Sequence, residues 1–502
     1  MGRCVVVGIK DNKLVKNIFW TASVQGIRVI VQILTIGVLS RIIPAEEYGA
    51  MAACFVVINL AYVFRDGGVA NSLIRVDSLD KIFIDTAFFI SFSLGFVIFL
   101  ILQIFHESIG ALFGIMGVGE LIKIVSWVFV FSGFGAIPQA LLERSGNFKK
   151  IAQAEIFSSV FAFILALILA INNFGAKALA ASFFANVAIT SVLYVILAKW
   201  RPGISWSATR SREILSFGGG VLGFNSINYI ARNADIPIIS RALGAVQVGY
   251  YSQAYKIMLF PVQNITGAIN RGMYPELCSR IRSGHGAHEI YCRILRSLSF
   301  CIWPLMIFVA IESESVIFVV LGEKWLLASP VLFWLALTGC IQALVSTTGG
   351  ALQAMGRISE LLKLGTLATL LQLGAFLMGV SSGIEYMAKL YFWANFFNGI
   401  FALYFVIKFI GAKINAISLD VGLNLIVSST VVVVAHLFVD RVLCLDVGAL
   451  RLIVGFSAVA FFLMVVIYLL HFSSEGGFLE KLMKGVKFMI SGGSVTGFWR
   501  IV

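Results

Sequence analysis

Charge is scarce in this sequence. Only 13% of its 502 residues are Asp, Glu, Lys or Arg, and 59% are hydrophobic, against about 25% charged in soluble domains. A string of soluble domains is thereby excluded. Proline (eight) and histidine (five) are also few. The seven cysteines, Cys4, Cys54, Cys278, Cys292, Cys301, Cys340 and Cys444, show no C-x-x-C and no ligand spacing. They read as small apolar residues or free thiols, not as a metal site or disulfide framework. The stretch HGAHE (285–289) is not the H-E-x-x-H zinc pattern. No G-x-x-x-x-G-K-[ST] phosphate loop occurs, and GIMGVGE (114–120) reads as a glycine-rich turn in an outside loop. The chain also lacks any loop long enough for a folded domain, which counts against a membrane polymerase or glycosyltransferase with a large catalytic loop. The loop near 106–120 offers only His106, Glu107 and Glu120.

Long apolar runs fill the space left by these absences. About twenty apolar residues span a bilayer. Fourteen such runs are predicted, near 18–40, 48–64, 82–105, 121–142, 151–173, 177–198, 214–239, 248–270, 293–320, 327–349, 360–381, 386–407, 418–439 and 452–470. The first reads as an uncleaved span, because no small-residue cleavage site follows a short apolar core. The class is therefore all-α and polytopic.

The basic residues test that count through the positive-inside rule. With the N-terminus inside, 26 of the 38 Lys and Arg fall in inside segments and 8 in outside loops. Fourteen spans with both termini cytoplasmic satisfy this bias. The formal charge of +13 then follows from topology and an anionic inner leaflet, with no nucleic-acid partner required. The basic, amphipathic stretch FLEKLMKGVKFMI (478–490) reads as a tail lying along that surface.

Four cations remain within spans or at a span end: Arg28, Arg232, Lys256 and Arg271. Each would cost at least ~2.5 kcal/mol facing lipid at the bilayer centre. Helical spacing gathers polar partners around them. Gln25, Arg28 and Gln32 follow i, i+3, i+7. Asn225, Asn228, Arg232 and Asp235 follow i, i+3, i+7, i+10. Gln253, Lys256, Gln263 and Asn270 lie on or near one stripe. Three polar stripes predict a shared hydrophilic cavity. The competing reading is a set of buried polar pairs that lock helix packing. Asp235 reads either as a coupling carboxylate or as the ion-pair partner of Arg232 or Lys256. Arg65 and Asp66, followed by Gly67 and Gly68, close the second span as a cytoplasmic gate or as a glycine-capped helix end.

The chain also repeats itself. SRIIPAEEYG (40–49) matches SRALGAVQVG (240–249) at four of ten positions, and ALLERSG (140–146) echoes ALQAMG (351–356). These matches predict two six-helix lobes related by a pseudo-twofold axis around a central cationic cavity, plus two extra C-terminal helices. The expected division is a basic N-terminus 1–17, a first lobe 18–199, a linker 200–213, a second lobe 214–410, the extra helices 411–471 and the tail 472–502.

LSRIIPAEEYGAMA followed by FRDGGVANSLIR, and later ARNADIPIISRALGAVQVGYYSQAYKIMLFPVQNI, YPELCSRI, LGEKW and LQAMGRISELLKLG, resemble the Wzx-type flippases. These form the polysaccharide transport family of the multidrug/oligosaccharidyl-lipid/polysaccharide exporter superfamily. The resemblance spans roughly residues 14 to 410. It implies a transporter, not an enzyme, that moves polyprenyl-pyrophosphate-linked oligosaccharide units across the bacterial inner membrane by alternating access. The implied product is exopolysaccharide, capsule or O-antigen. A polymerase and co-polymerase of the same pathway are the implied partners, beside membrane lipid. No cofactor is implied beyond a coupling ion, H+ or Na+. Arg28, Arg232, Lys256, Arg271, Gln25, Gln32 and Asn228 are the expected cavity residues. Two alternatives share the fold: a flippase for a lipid-linked peptidoglycan precursor, and a multidrug exporter. A drug exporter for cationic substrates would want acids in its cavity, whereas here four cations face about one anion.

Overall fold

The structure, a computed structural model, describes residues 31–66, 73, 80–203, 205–212, 229–230, 232–283, 286–411, 414–443 and 445–473. The chain forms two compact units. Of the described residues, one comprises those up to Pro44 with those of Ala53–Ile230; the other comprises Ala45–Ala52 with those after Ala231.

The first unit contains α1 (Val31–Ile42), most of α2 (Ala45–Asp66), α3 (Lys81–Ala111), α4 (Val118–Val125), α5 (Val128–Arg144), α6 (Phe148–Ile171) and α7 (Ala176–Ala198). Asp80 starts α3 by accepting the Phe83 N–H at 2.8 Å, which satisfies one orphan donor of the first turn. Further along, α3 and α5 cross almost backbone to backbone. A Cβ on Gly95 would lie 2.4 Å from the Phe129 carbonyl oxygen, so only glycine permits this approach. Phe88 fills the adjoining core, with Phe134 and Trp200 edge-on at 5.6 and 5.2 Å.

The segment after α7 is tied back onto α3. Gly203 N–H donates to Asp85 Oδ1 at 3.1 Å, Ser207 N–H to Thr86 Oγ1 at 3.2 Å, and Arg210 pairs with Asp80 at 3.3 Å. Asp85 is fully buried, and a Cβ at position 203 would strike its carboxylate at 2.1 Å.

The second unit holds the first residues of α2 and then α8 (Asp235–Leu243), α9 (Ala245–Ser283), α10 (Ala287–Ile311), α11 (Ser313–Val320), α12 (Ser329–Ala354), α13 (Ile358–Gly379), α14 (Ile384–Ile410), α15 (Ile414–Leu437) and α16 (Ala449–Ser473). Short 3-10 turns precede α12 and follow α13, and a π-helical turn, Phe438–Val442, ends α15. Tyr291 of α10 meets Thr347 of α12 at 3.1 Å, and Trp303 Nε1 donates to the Cys340 carbonyl at 3.0 Å.

Eleven helices among the described residues are long and apolar enough to cross a membrane. The first and seventh predicted spans fall largely outside the described residues. The eighth exists as the 39-residue α9, but its polar stripe makes it less apolar than the rest. Two predicted continuous spans are broken. The span near 214–239 is interrupted at Asn233–Ala234, and a new helix starts at Asp235. Pro237 thus sits in a first turn, where its missing N–H costs nothing, instead of kinking a continuous span. The span near 293–320 breaks at Glu312, whose carboxylate is engaged by distant partners described below.

Both repeated sequence blocks have matching local structure. Helices begin at Ala45 and Ala245, one after Pro44 and the other after Gly244 at φ +82. Within the second unit Gly49 and Gly249 pack reciprocally. A Cβ on Gly49 would lie 1.9 Å from the Ala245 oxygen, and one on Gly249 2.0 Å from the Ala45 oxygen. The echo at 140–146 and 351–356 is a shared helix stop. Gly146 (φ 68) and Gly356 (φ 71) terminate α5 and α12. The following residues, Asn147 and Arg357, donate back to Leu142 and Leu352 at 3.0 and 2.8 Å, as in a Schellman motif.

Candidate functional site

Within the first unit, α2, α5, α6 and α7 line a half-open polar cavity of about 230 Å3. On α7, Asn186, Thr190 and Tyr194 stand at i, i+4, i+8 and so share one face; all three line the cavity. Glu155 and Ser159, one turn apart on α6, face them. Tyr194 Oη donates to Glu155 Oε1 at 3.1 Å, and Asn186 Nδ2 to Ser159 Oγ at 3.3 Å. Across the cavity, Arg65 of α2 donates to the Ser132 carbonyl at 3.1 Å and lies 5.4 Å over the ring of Tyr62. Gln139 lines the remaining side and donates to Glu143 at 2.9 Å. The lining thus carries one cation, one anion and many neutral donors and acceptors.

The predicted site residues are only partly within the described region. Gln25, Arg28, Asn225 and Asn228 lie outside it, as do the side chains of Asp66 and Arg271. Gln32 is exposed on α1. Arg65 lines the cavity just described. In the second unit Arg232 and Lys256 are exposed, while Asp235 is 6% exposed. Tyr255 sits within electrostatic reach of both Arg232 and Asp235. Among the described residues, however, Asp235 forms no ion pair with Arg232 or Lys256. It opens α8, where its Oδ1 accepts the Ile236 N–H at 2.9 Å. The positive end of that helix supports the charge locally, so the expected ion pair gives way to a helix-start carboxylate.

A second polar group joins α12, α13 and α14. Gln342 Nε2 donates to Tyr391 Oη at 2.9 Å and to Asn395 Oδ1 at 3.4 Å, and Gln372 Nε2 donates to the same Oδ1 at 3.2 Å. These residues, like Glu155, Asn186 and Tyr194, were absent from the predicted site. Their turn-by-turn spacing, Tyr391–Asn395 and Asn186–Thr190–Tyr194, was the signal that would have found them.

Glu312 anchors the third polar group. It is 4% exposed. Arg451 Nε donates to it at 2.7 Å, Arg451 Nη2 at 3.3 Å and Ser315 Oγ at 3.2 Å, with His436 Nδ1 at 2.7 Å. Arg451 also reaches Asp440 at 3.2 Å. Glu312 follows the end of the span Ala287–Ile311. Burial opposes its charge, but hydrogen bonds from Arg451 and His436 outweigh that and hold the carboxyl below its usual range.

Long apolar helices interrupted by such polar groups define a multi-pass helical membrane protein, and solved structures share the fold. The lipid II flippase MurJ in an inward closed conformation superposes with a TM-score of 0.74, covering 90% of this chain and 99% of that chain at 14% identity. An inward-facing multidrug resistance MATE family transporter of the MOP superfamily gives 0.61 over 76% and 94%, at 16% identity. At these identities the likeness speaks to fold alone.

The sequence supplies the family. The chain belongs to the family described as polysaccharide biosynthesis protein, whose profile matches residues 38–330. Teichuronic acid biosynthesis protein TuaB of Bacillus subtilis is 27% identical over 343 residues, 67% of this chain and 70% of that protein. Lipopolysaccharide biosynthesis protein WzxC of Escherichia coli is 25% identical over 371 residues, 73% and 75% of the two chains. Succinoglycan biosynthesis transport protein ExoT of Rhizobium meliloti is 24% identical over 376 residues, 75% and 76%.

Proposed function

We propose that this protein is a flippase that carries polyprenyl-pyrophosphate-linked oligosaccharide units from the inner to the outer leaflet of the bacterial cytoplasmic membrane. The observation that carries the reading is membership of the polysaccharide biosynthesis family over residues 38–330, in a chain built of membrane-crossing helices. Relatives of similar length include a named transport protein for succinoglycan biosynthesis.

The chemistry supports it. A diphosphate head group with its sugars cannot cross hydrocarbon unaided. Polar and cationic side chains carried on spans replace the water it loses. Arg232 and Lys256 belong to the cationic lining in this reading, together with Arg28 and Arg271. An inside-negative potential favours outward movement of an anionic head group by ~2.3 kcal/mol per charge per 100 mV. H+ or Na+ exchange would add to that drive, with Asp235 as the carboxylate placed to respond. Alternating access between two lobes, both termini cytoplasmic, and delivery to a polymerase and co-polymerase complete the proposal.

The test is a host lacking its own flippase. Expression of this chain should restore surface polysaccharide and clear lipid-linked repeat units from the inner leaflet. Units that still accumulate at normal protein level would refute the reading.

A further inference from the structure

The cavity of the first unit has the wrong charge for a diphosphate. Its lining offers Arg65 and Glu155, one charge of each sign. The Arg65 guanidinium already donates to the Ser132 carbonyl and covers Tyr62. An incoming diphosphate would meet a single cation, offset by the Glu155 carboxylate of the same lining. The lining groups pair with one another, Tyr194 with Glu155 and Asn186 with Ser159, and still leave a polar space of about 230 Å3 among them. This cavity turns hydroxyls, amides and a carboxylate inward from four helices at once.

Its size narrows the ligand. About 230 Å3 is smaller than the ~300–1,000 Å3 of sites for drug-sized molecules. One pyranose ring fits this half-open space. Its lining chemistry matches a neutral sugar. Glu155 accepts from hydroxyls, Asn186 and Gln139 both donate and accept, Tyr194 presents a phenol, and Tyr62 adds an aromatic ring.

The geometry points to a subsite for one uncharged sugar ring of the translocated head group, formed by Glu155, Asn186, Gln139 and Tyr194. The inference rests on the flippase reading for the source of that sugar. It differs from that reading in assigning sugar recognition to a charge-balanced cavity inside one unit, apart from the cations that would meet phosphate. Ser159, on the same wall as Glu155, is the place where a large side chain would fill the space.

The experiment uses the full chain in lipid nanodiscs and saturation-transfer NMR. The probes are the methyl glycosides of glucose, galactose, N-acetylglucosamine and glucuronic acid, with inorganic diphosphate and sodium as competitors. The expected result is transfer to at least one neutral glycoside, reduced at least fivefold in Ser159→Phe and Glu155→Gln and unaffected by either competitor. Tyr194→Phe removes only a hydroxyl, and should also weaken transfer if the larger changes prevent folding. Three results would overturn the subsite: no transfer to any neutral glycoside, equal transfer in Ser159→Phe and Tyr194→Phe, or displacement by diphosphate or sodium. Translocation of a fluorescent polyprenyl-diphosphate saccharide is measured in parallel. Translocation without sugar transfer removes the subsite and leaves the flippase reading. Variant-sensitive sugar transfer without translocation supports the subsite and removes the flippase reading.

Discussion

Glu312→Gln keeps the shape of a buried side chain and removes its charge. In the native chain that carboxylate receives both Arg451 Nε and His436 at 2.7 Å, with Ser315 at 3.2 Å. Hydrogen bonds to charged groups contribute ~1.5–3 kcal/mol each, and breaking one side of a buried ion pair costs ~3–5 kcal/mol. The Arg451 side chain is only 11% exposed, so it cannot simply turn to water. Asp440, 3.2 Å from Arg451, and the glutamine carbonyl recover part of the loss. The net cost is therefore put at about 3 kcal/mol, the low end of that range. The contacts fasten α16 and the end of α15 to the break between α10 and α11, so the cost falls on local opening there. At ~1.4 kcal/mol per factor of ten, backbone amides in the outer turns of α16 should exchange about a hundredfold faster. Hydrogen exchange of the protein in nanodiscs, read by mass spectrometry, measures this directly. Exchange accelerated less than threefold in α16, or accelerated equally in α5, would refute the argument.

Other predictions follow from single contacts. Gly49→Ala places a Cβ 1.9 Å from the Ala245 oxygen, where contacts under 3.0 Å are essentially never found, so two helices must part. Overpacking of this kind costs ~1–3 kcal/mol, and thermal unfolding should show it. Gly272→Ala, inside α9 with nothing within 4 Å, should hold or raise the midpoint, because alanine is the better helix former. Asp85→Ala removes the acceptor of the Gly203 N–H, a loss of ~1–3 kcal/mol; limited trypsin digestion should then cut after Lys199 and Arg210 about tenfold faster, and unchanged cleavage would argue against the clamp. Glu312 has a carboxyl held below the ordinary value of ~4.3, so its contribution is present above that value and is lost as pH falls through the lowered one. Protection of α16 should thus give way only at pH below the ordinary carboxyl range; protection lost at neutral pH would contradict the assignment.

The helices were legible because each is a local property. The spans expected near 151–173 and 386–407 stand at Phe148–Ile171 and Ile384–Ile410. The repeated blocks coincide with the helix starts at Ala45 and Ala245 and the glycine stops at Gly146 and Gly356, features that the structure assigns to them. Polar partnerships were not legible, because they join distant parts of the chain. Asp85 finds Gly203 118 residues later, and Glu312 finds Arg451 139 residues later. No periodicity records such a pairing. The break at Asn233–Ala234 escaped a hydropathy reading because apolar residues continue on both sides of it. The cavity around Glu155 escaped because attention went to uncompensated cations, whereas Arg65 and Glu155 are balanced within one lining.

The central claim is that this chain moves a lipid-linked saccharide across a membrane. The most direct test is purified protein in sealed liposomes carrying a fluorescent polyprenyl-diphosphate oligosaccharide, with an imposed membrane potential and a membrane-impermeant quencher. The account predicts protein-dependent exposure of the labelled head group, faster when the potential draws the anion across and slower in Arg232→Ala and Lys256→Ala. Exposure at the rate of protein-free liposomes, whatever the potential, would contradict it.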